Sequence, residues 1–215
     1  MRIKNKTASF FALLIFGLML FILYWSLHRD ATVIIQAGHE GRSQGNTGAV
    51  SGLEREEVWN IEVADEVARL LKSWDISVLR VPAKVSFLRA KIAVSIHFDA
   101  AQRICYSGAS IGYPNLHSYD FAQRWRAYYK EYFPFRWHQD NFTKNLKHYY
   151  AYHWIRADKF LLLELGELTC PRQRRWLKPR LKELASLIAY AIAKELGKEM
   201  PKPDCISKKE LLTDL

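Results

Sequence analysis

Cysteine, proline and glycine are scarce in this chain, at 3, 7 and 10 of its 215 residues. That scarcity excludes collagen-like, low-complexity and disulfide-scaffold chains. There is no C-x-x-C pair, so a thiolate zinc finger is excluded, and no H-E-x-x-H motif either. No internal repeat with a period of about 20–50 residues is visible, which argues against a solenoid. The aromatic-basic signatures of nucleic-acid modules are missing, so nucleic acid is not an expected partner. Acidic residues are the minority, with 22 Asp+Glu against 32 Lys+Arg and a formal charge of +10. Such a surplus suits plain solubility, or attraction to anionic envelope polymers and lipid headgroups. Apolar residues are plentiful. With 49% hydrophobic and 13% aromatic residues, the chain is too apolar for disorder, and its length suits one domain with a sizeable core.

The longest apolar run stands at the N-terminus. Arg2, Lys4 and Lys6 precede an uncharged stretch from Phe10 to Leu27. At ~1.5 Å rise per residue, that stretch reaches roughly 27 Å as a helix. Signal-peptide cores are usually shorter, about 7–15 residues, and end in small residues. Here the exit reads Tyr24-Trp25-Ser26-Leu27-His28-Arg29. The expectation is an uncleaved signal anchor over residues 1–28, a single transmembrane helix with its cations on the cytoplasmic side. A cleaved signal peptide is the alternative. Residues 29–197 would then form one domain on the periplasmic or extracytoplasmic side of the cytoplasmic membrane, followed by a loose tail over 198–215. Cys105, Cys170 and Cys205 make an odd count, and Cys105 and Cys170, each after an expected strand, could pair.

Strand and helix patterns alternate through residues 29–197. Thr32–Gln36 is a β-branched run stopped by Ala37-Gly38. From Arg55 to Trp74, Val58, Ile61, Ala64, Val67 and Leu71 recur at helical spacing. Ile76–Val81, Ile92–Phe98 and Lys159–Leu165 read as further strands, and Asp120–Tyr132 as a helix. A last helix would carry Pro179 in its first turn and run to about Leu196, before Gly197. Near-continuous apolar strands separated by helices imply an α/β fold: an open, mainly parallel sheet with helices on both faces.

Ionisable residues mark the strand ends. His39 follows the first strand, His97 is near the end of the third, and Glu164 lies within the fourth. In an open parallel sheet, the carboxyl ends of the strands line the ligand crevice. Glu56 falls in the first turn of the helix after a glycine-containing loop with glycines at 38, 41, 45, 48 and 52. Two imidazoles and one carboxylate suit a catalytic zinc with an open position, and a further carboxylate can move the proton of a water. Singly, His97 also reads as a half-buried histidine, and Glu164 as a carboxylate paired with a basic neighbour.

With their surroundings, these residues resemble the zinc-dependent N-acetylmuramoyl-L-alanine amidases of the type-3 family, over roughly residues 32–196. Gln36-Ala-Gly-His-Glu-Gly41 resembles the family's opening zinc histidine. Leu53–Ala64 is similar to the acidic start of its first helix, in a register that makes Glu56 the ligand, with Glu54 as the alternative. Ser95-Ile-His97 is similar to its second histidine motif, and Leu163-Glu-Leu-Gly166 to the strand carrying its catalytic glutamate. Departures stand beside the matches. Glu40 replaces the glycine usual after the first histidine, and Asp99 stands where asparagine is common. The chain lacks the family's Ala-Asn before the third strand, and its aromatic and asparagine after Glu164.

The resemblance implies hydrolysis of the amide between N-acetylmuramic acid and L-alanine in peptidoglycan. Zn2+ would be held by His39, Glu56 and His97, and Glu164 would pass a proton from water to the leaving nitrogen. Another zinc amidohydrolase or peptidase of the envelope, and a non-catalytic peptidoglycan-binding protein, remain alternatives; need for an activator protein is open. Pro134–Trp154, rich in aromatics, reads either as a wall of a substrate groove or as a loop packed on the sheet edge. His117, His138, His148 and His153 are not expected as ligands. The basic run Arg172–Lys182 reads as a solvated face, or as one turned to anionic lipid or wall polymer.

Overall fold

The computed structural model describes residues 4–27, 29–43 and 46–203. The expectations for Arg2, His28, Gly45, Cys205, the side chains of Lys4 and Lys6, and the tail from 204 lie outside the described residues. The N-terminal run forms one helix, α1 (Lys4–Leu27), whose side chains from Phe10 to Phe21 are exposed. Among the described residues, no helix is long and apolar enough to cross a membrane.

The domain is built on a five-stranded sheet. Its strands are β1 (Val33–Ala37), β4 (Val78–Val81), β5 (Leu88–Asp99), β6 (Ser110–Gly112) and β7 (Ile155–Glu167). They lie in the order β4-β1-β5-β7-β6, parallel except for β6, which runs antiparallel to β7. The remaining two, β2 (Val50–Ser51) and β3 (Glu54–Arg55), make a small hairpin beside it. β6 has no counterpart in the sequence reading. Three residues at a sheet edge are too few to show alternation.

Helix α2 (Glu56–Ser73), α3 (Tyr119–Tyr132) and α7 (Leu181–Glu195) cover one face. There Val33, Ile35, Val94, Ile96, Leu161 and Leu163 join Val63, Val67, Trp125, Tyr129, Leu184 and Ile188 in a single core. The other face is thinner. Ile34, Ala93, Phe160 and Leu162 meet Leu146 and Ala151, carried by the one-turn helices α4 (Lys144–Lys147) and α5 (Ala151–Trp154), and Tyr149 from the link between them. The expected helices on both faces are thus three long ones on one side and two single turns on the other. The segment that covers the thin face carries no sustained 3.6-residue apolar stripe, so it does not extend into a long helix.

Pro179 sits in a 3₁₀ turn over Lys178–Arg180, and α7 begins just after it. A short helix, α6 (Pro171–Leu177), precedes that turn with Pro171 at its first position and Trp176 and Leu177 buried. Its many cations hide the apolar pair from a sequence reading. Cys105 and Cys170 form a disulfide, tying the loop after β5 to the start of α6. At the C-terminal end Met200 packs against the core.

Candidate metal centre

Strand alternation decides what reaches the thin face. On β5, Val94, Ile96 and Phe98 face the large core, so Ser95 and His97 point the other way. On β7, Leu161, Leu163 and Leu165 do the same and turn Glu164 to the thin face. His97 and Glu164 are register partners, and a bulge follows them between His97 and Asp99. Bulges at strand ends re-aim side chains, and here the pairing resumes one step later with Glu167 opposite Asp99.

His39 comes from the turn after β1. Its backbone takes φ of 63°, a conformation that costs a non-glycine residue about 1–2 kcal/mol. Its Nδ1 lies 2.8 Å from the Asn46 carbonyl, which leaves Nε2 facing Glu56 Oε1 at 3.4 Å. Glu56 is the first residue of α2, where a carboxylate is favoured by the helix dipole. Its Oε2 accepts from the Ala49 backbone N–H at 2.8 Å, while its own backbone N–H donates to Ala49 at 2.9 Å. Oε1 accepts from Phe98 N–H at 3.2 Å and Asn60 Nδ2 at 3.3 Å, and lies 3.1 Å from His97 Nδ1. Asn60, one turn along α2, also donates to the Gly38 carbonyl at 2.9 Å.

Two glycines make room for this arrangement. A Cβ on Gly38 would overlap the His97 ring, and one on Gly48 would overlap the Glu56 carboxylate and His39. Ligand-capable atoms of His39, Glu56 and His97 all lie within 4.8 Å of one another. Two imidazole nitrogens and a carboxylate oxygen that converge this closely either share a proton or bind a cation together. The donor set therefore fits a divalent metal, and its chemistry matches zinc.

Burial pushes Glu56 up, but the hydrogen bond from His97 and the two imidazoles more than offset it and leave it below the ordinary glutamate range. His97 is held low by burial, only partly countered by Glu56. Glu164 is held well above the ordinary range by burial and by the neighbouring Asp99 and Glu56 carboxylates. Its Oε2 is sealed from solvent without a hydrogen-bond partner among the described residues. All four side chains, with Asp99, Arg42, Asn46, Asn145, Tyr149 and Tyr150, line one cavity of about 320 Å³. The structure thus brings His39, Glu56, His97 and Glu164 together around one cavity.

Apart from Asp99, which shares the cavity wall, the remaining candidates fall elsewhere. Glu54 pairs with Lys178 and accepts from Trp59 Nε1 at 3.0 Å, so it is not in the cluster. Glu40 pairs with Arg80. Asp99 is tied to the Ser107 hydroxyl and the Ala100 N–H at the cavity rim, and burial raises it. His138 meets that same hydroxyl at 3.0 Å, outside the metal cluster. Within the aromatic segment, Phe135 and Trp137 pack against the large core, whereas Asn145, Tyr149 and Tyr150 wall the cavity. Both readings of that segment hold, each for a different part. From the basic run, Arg174 reaches Ser51 and Leu168, and Lys178 reaches Glu54.

The sequence reading missed Asn60, Gln36 and Glu167. Asn60 stands four residues after Glu56 on the buried stripe of α2, a polar residue where an apolar one is expected. Glu167 is fully buried and accepts from the backbone N–H groups of Cys105 at 2.8 Å and Ser107 at 2.7 Å. It orders the loop that bears the disulfide.

The family model described as N-acetylmuramoyl-L-alanine amidase matches residues 33–196. Solved structures agree with it in fold. The N-acetylmuramoyl-L-alanine amidase AmiC2 of Nostoc punctiforme is 20% identical, with a TM-score of 0.59, covering 77% of this chain and 97% of that one. The catalytic domain of the amidase CwlV from Bacillus (Paenibacillus) polymyxa is 22% identical, with a TM-score of 0.60, covering 78% and 98%. The CwlD amidase from Clostridioides difficile, solved in complex with the GerS lipoprotein, is 20% identical, with a TM-score of 0.58, covering 78% and 99%. No curated protein sequence matches the chain.

Proposed function

This chain belongs to the N-acetylmuramoyl-L-alanine amidase family, and we propose that it is a zinc-dependent, membrane-tethered member with Glu164 as its proton carrier. Its activity is hydrolysis of the amide between N-acetylmuramic acid and L-alanine in peptidoglycan. The observation that carries the zinc reading is the convergence of His39, Glu56 and His97 beside Glu164 in one cavity.

His39, Glu56 and His97 would hold the zinc, which would supply Lewis acidity to polarise the amide carbonyl and to lower the pKa of a water towards ~7. The chain's own residues do the rest. Glu164 takes the proton of the attacking water and returns it to the departing L-alanine nitrogen. Its side chain lines the cavity, and its Oε2 has no hydrogen-bond partner among the described residues. Tyr149 and Tyr150 give the cavity apolar walls, with Arg42 stacked 4.5 Å over the Tyr150 ring.

In this reading α1 is the anchor, and the domain lies outside the cytoplasmic membrane. The exposed apolar side chains from Phe10 to Phe21 support it. So does the Cys105–Cys170 disulfide, a bond that persists in oxidising compartments.

The test is release of products from purified peptidoglycan by the zinc-loaded full-length chain in detergent, read by mass spectrometry. Stem peptides beginning at L-alanine are expected. Fragments cut elsewhere in the stem would overturn the bond assignment. Binding to the wall with no release under any metal would favour a binding protein or an activator-dependent enzyme.

A further inference from the structure

We infer that Tyr149 is the positioning residue that selects which nitrogen His97 presents to the metal: it accepts the Nε2–H and leaves Nδ1 as the ligand atom. This rests on the zinc reading above and deepens it.

The polar chain starts from a fixed point. Gln36 Nε2 faces the backbone carbonyls of Ala83 at 3.1 Å and Pro82 at 3.4 Å. Carbonyls only accept, so that end of the amide is the NH₂ group and Oε1 is the acceptor. Two hydroxyls meet Oε1, those of Ser95 and, at 3.1 Å, Tyr149. Ser95 donates its proton there, and the Tyr149 hydroxyl has the same acceptor open to it. The Tyr149 oxygen lies 3.0 Å from His97 Nε2, and with its proton turned to Gln36 it accepts from that nitrogen. Without metal, Nδ1–H donates to Glu56 Oε1 at 3.1 Å. With a cation between them the ring's one hydrogen is on Nε2, where the Tyr149 oxygen accepts it, and the Nδ1 lone pair faces the cation.

Every member of this chain is buried: Gln36 and Ser95 at 0%, Tyr149 at 3% and His97 at 6% exposure. Bulk water does not compete for these bonds. His39 is set the opposite way. Its Nδ1 is held by the Asn46 carbonyl, so it offers Nε2. The two histidines thus present different nitrogens, each through its own acceptor, one a loop carbonyl and the other a hydroxyl from the segment that covers the thin face.

The experiment uses the full-length chain in detergent, labelled with nitrogen isotope in its histidines and loaded with magnetically active cadmium in place of zinc. Cadmium–nitrogen coupling is expected to Nδ1 of His97 and to Nε2 of His39, with the ring proton of His97 on Nε2. Tyr149→Phe removes only the hydroxyl. It should weaken zinc binding about 10- to 100-fold in chelator competition, with the melting curve retained. Coupling to Nε2 of His97 would overturn the inference, whether or not the variant folds. So would a folded Tyr149→Phe chain that binds zinc as tightly as the parent. A parent chain that takes up neither metal would overturn the zinc reading itself, a result distinct from coupling to the wrong nitrogen.

Discussion

His97 and Glu164 sit directly opposite each other on adjacent parallel strands. Backbone pairing, rather than a hydrogen bond between them, places the carboxylate beside the metal cluster. Glu164→Gln keeps the shape and removes the proton carrier. Release of stem peptides from peptidoglycan should fall about 10²- to 10⁴-fold, while zinc content, measured by elemental analysis, stays at the parent level. A variant retaining most of the parent rate would remove Glu164 from this role.

The raised pKa of Glu164 has a thermodynamic signature in the metal-free chain. A carboxyl that holds its proton more tightly folded than unfolded stabilises the fold fully below its unfolded value. That stabilisation is lost as pH rises through its folded value. For Glu164 the loss begins near the ordinary glutamate value of 4.5 and extends upward. Glu56 and His97, both held low, act in the opposite direction, so the informative quantity is a difference. The melting temperature of metal-free Glu164→Gln relative to the parent should climb steadily as pH rises from about 4.5 into the neutral range. A difference that stays flat would contradict the burial of this carboxyl.

Gly38 lies against the His97 ring with no space for a methyl group. Gly38→Ala must push the imidazole off its place or spread β1 from β5. Zinc affinity should drop at least tenfold, in line with the loss seen when ligand orientation is disturbed. The helices, read by circular dichroism, should persist. Unchanged zinc binding would show that the ring has more freedom than its packing implies.

The Cys105–Cys170 bond spans 65 residues of sequence, so its loss frees a long loop in the unfolded chain. Replacing both cysteines with serine should cost roughly 2–4 kcal/mol of stability, measured by denaturant unfolding. Because the same loop carries the Ser107 N–H that Glu167 accepts, activity should fall as well. A variant as stable as the parent would mean the loop is held without the bond.

The strands that carry the site were legible because each is an apolar run longer than chance, interrupted by one ionisable residue near its C-terminal end. His97 among Ile92–Phe98 and Glu164 among Leu161–Leu165 violate the local pattern, and burying such groups is costly without a purpose. Asn60 breaks the α2 stripe in the same way and was overlooked. Glu167 was hidden by its place at the end of β7, where a charged residue normally meets solvent.

Local sequence by itself determined β1, β4, β5 and β7, the helices α2, α3 and α7, the mainly parallel sheet, and the place of His39, His97 and Glu164 at the carboxyl ends of its strands, because periodicity and burial act over a few residues. Tertiary structure alone decided which atoms of those residues meet. Tyr149 is separated from Gln36 by 113 positions and from His97 by 52, and their contact exists only because α4 and α5 fold across the thin face. Which nitrogen of His97 is free, and why Glu56 rather than Glu54 joins the cluster, follow from hydrogen-bond partners brought in from distant segments. A hydrogen bond requires atoms about 3 Å apart, and only the folded chain brings these residues that close.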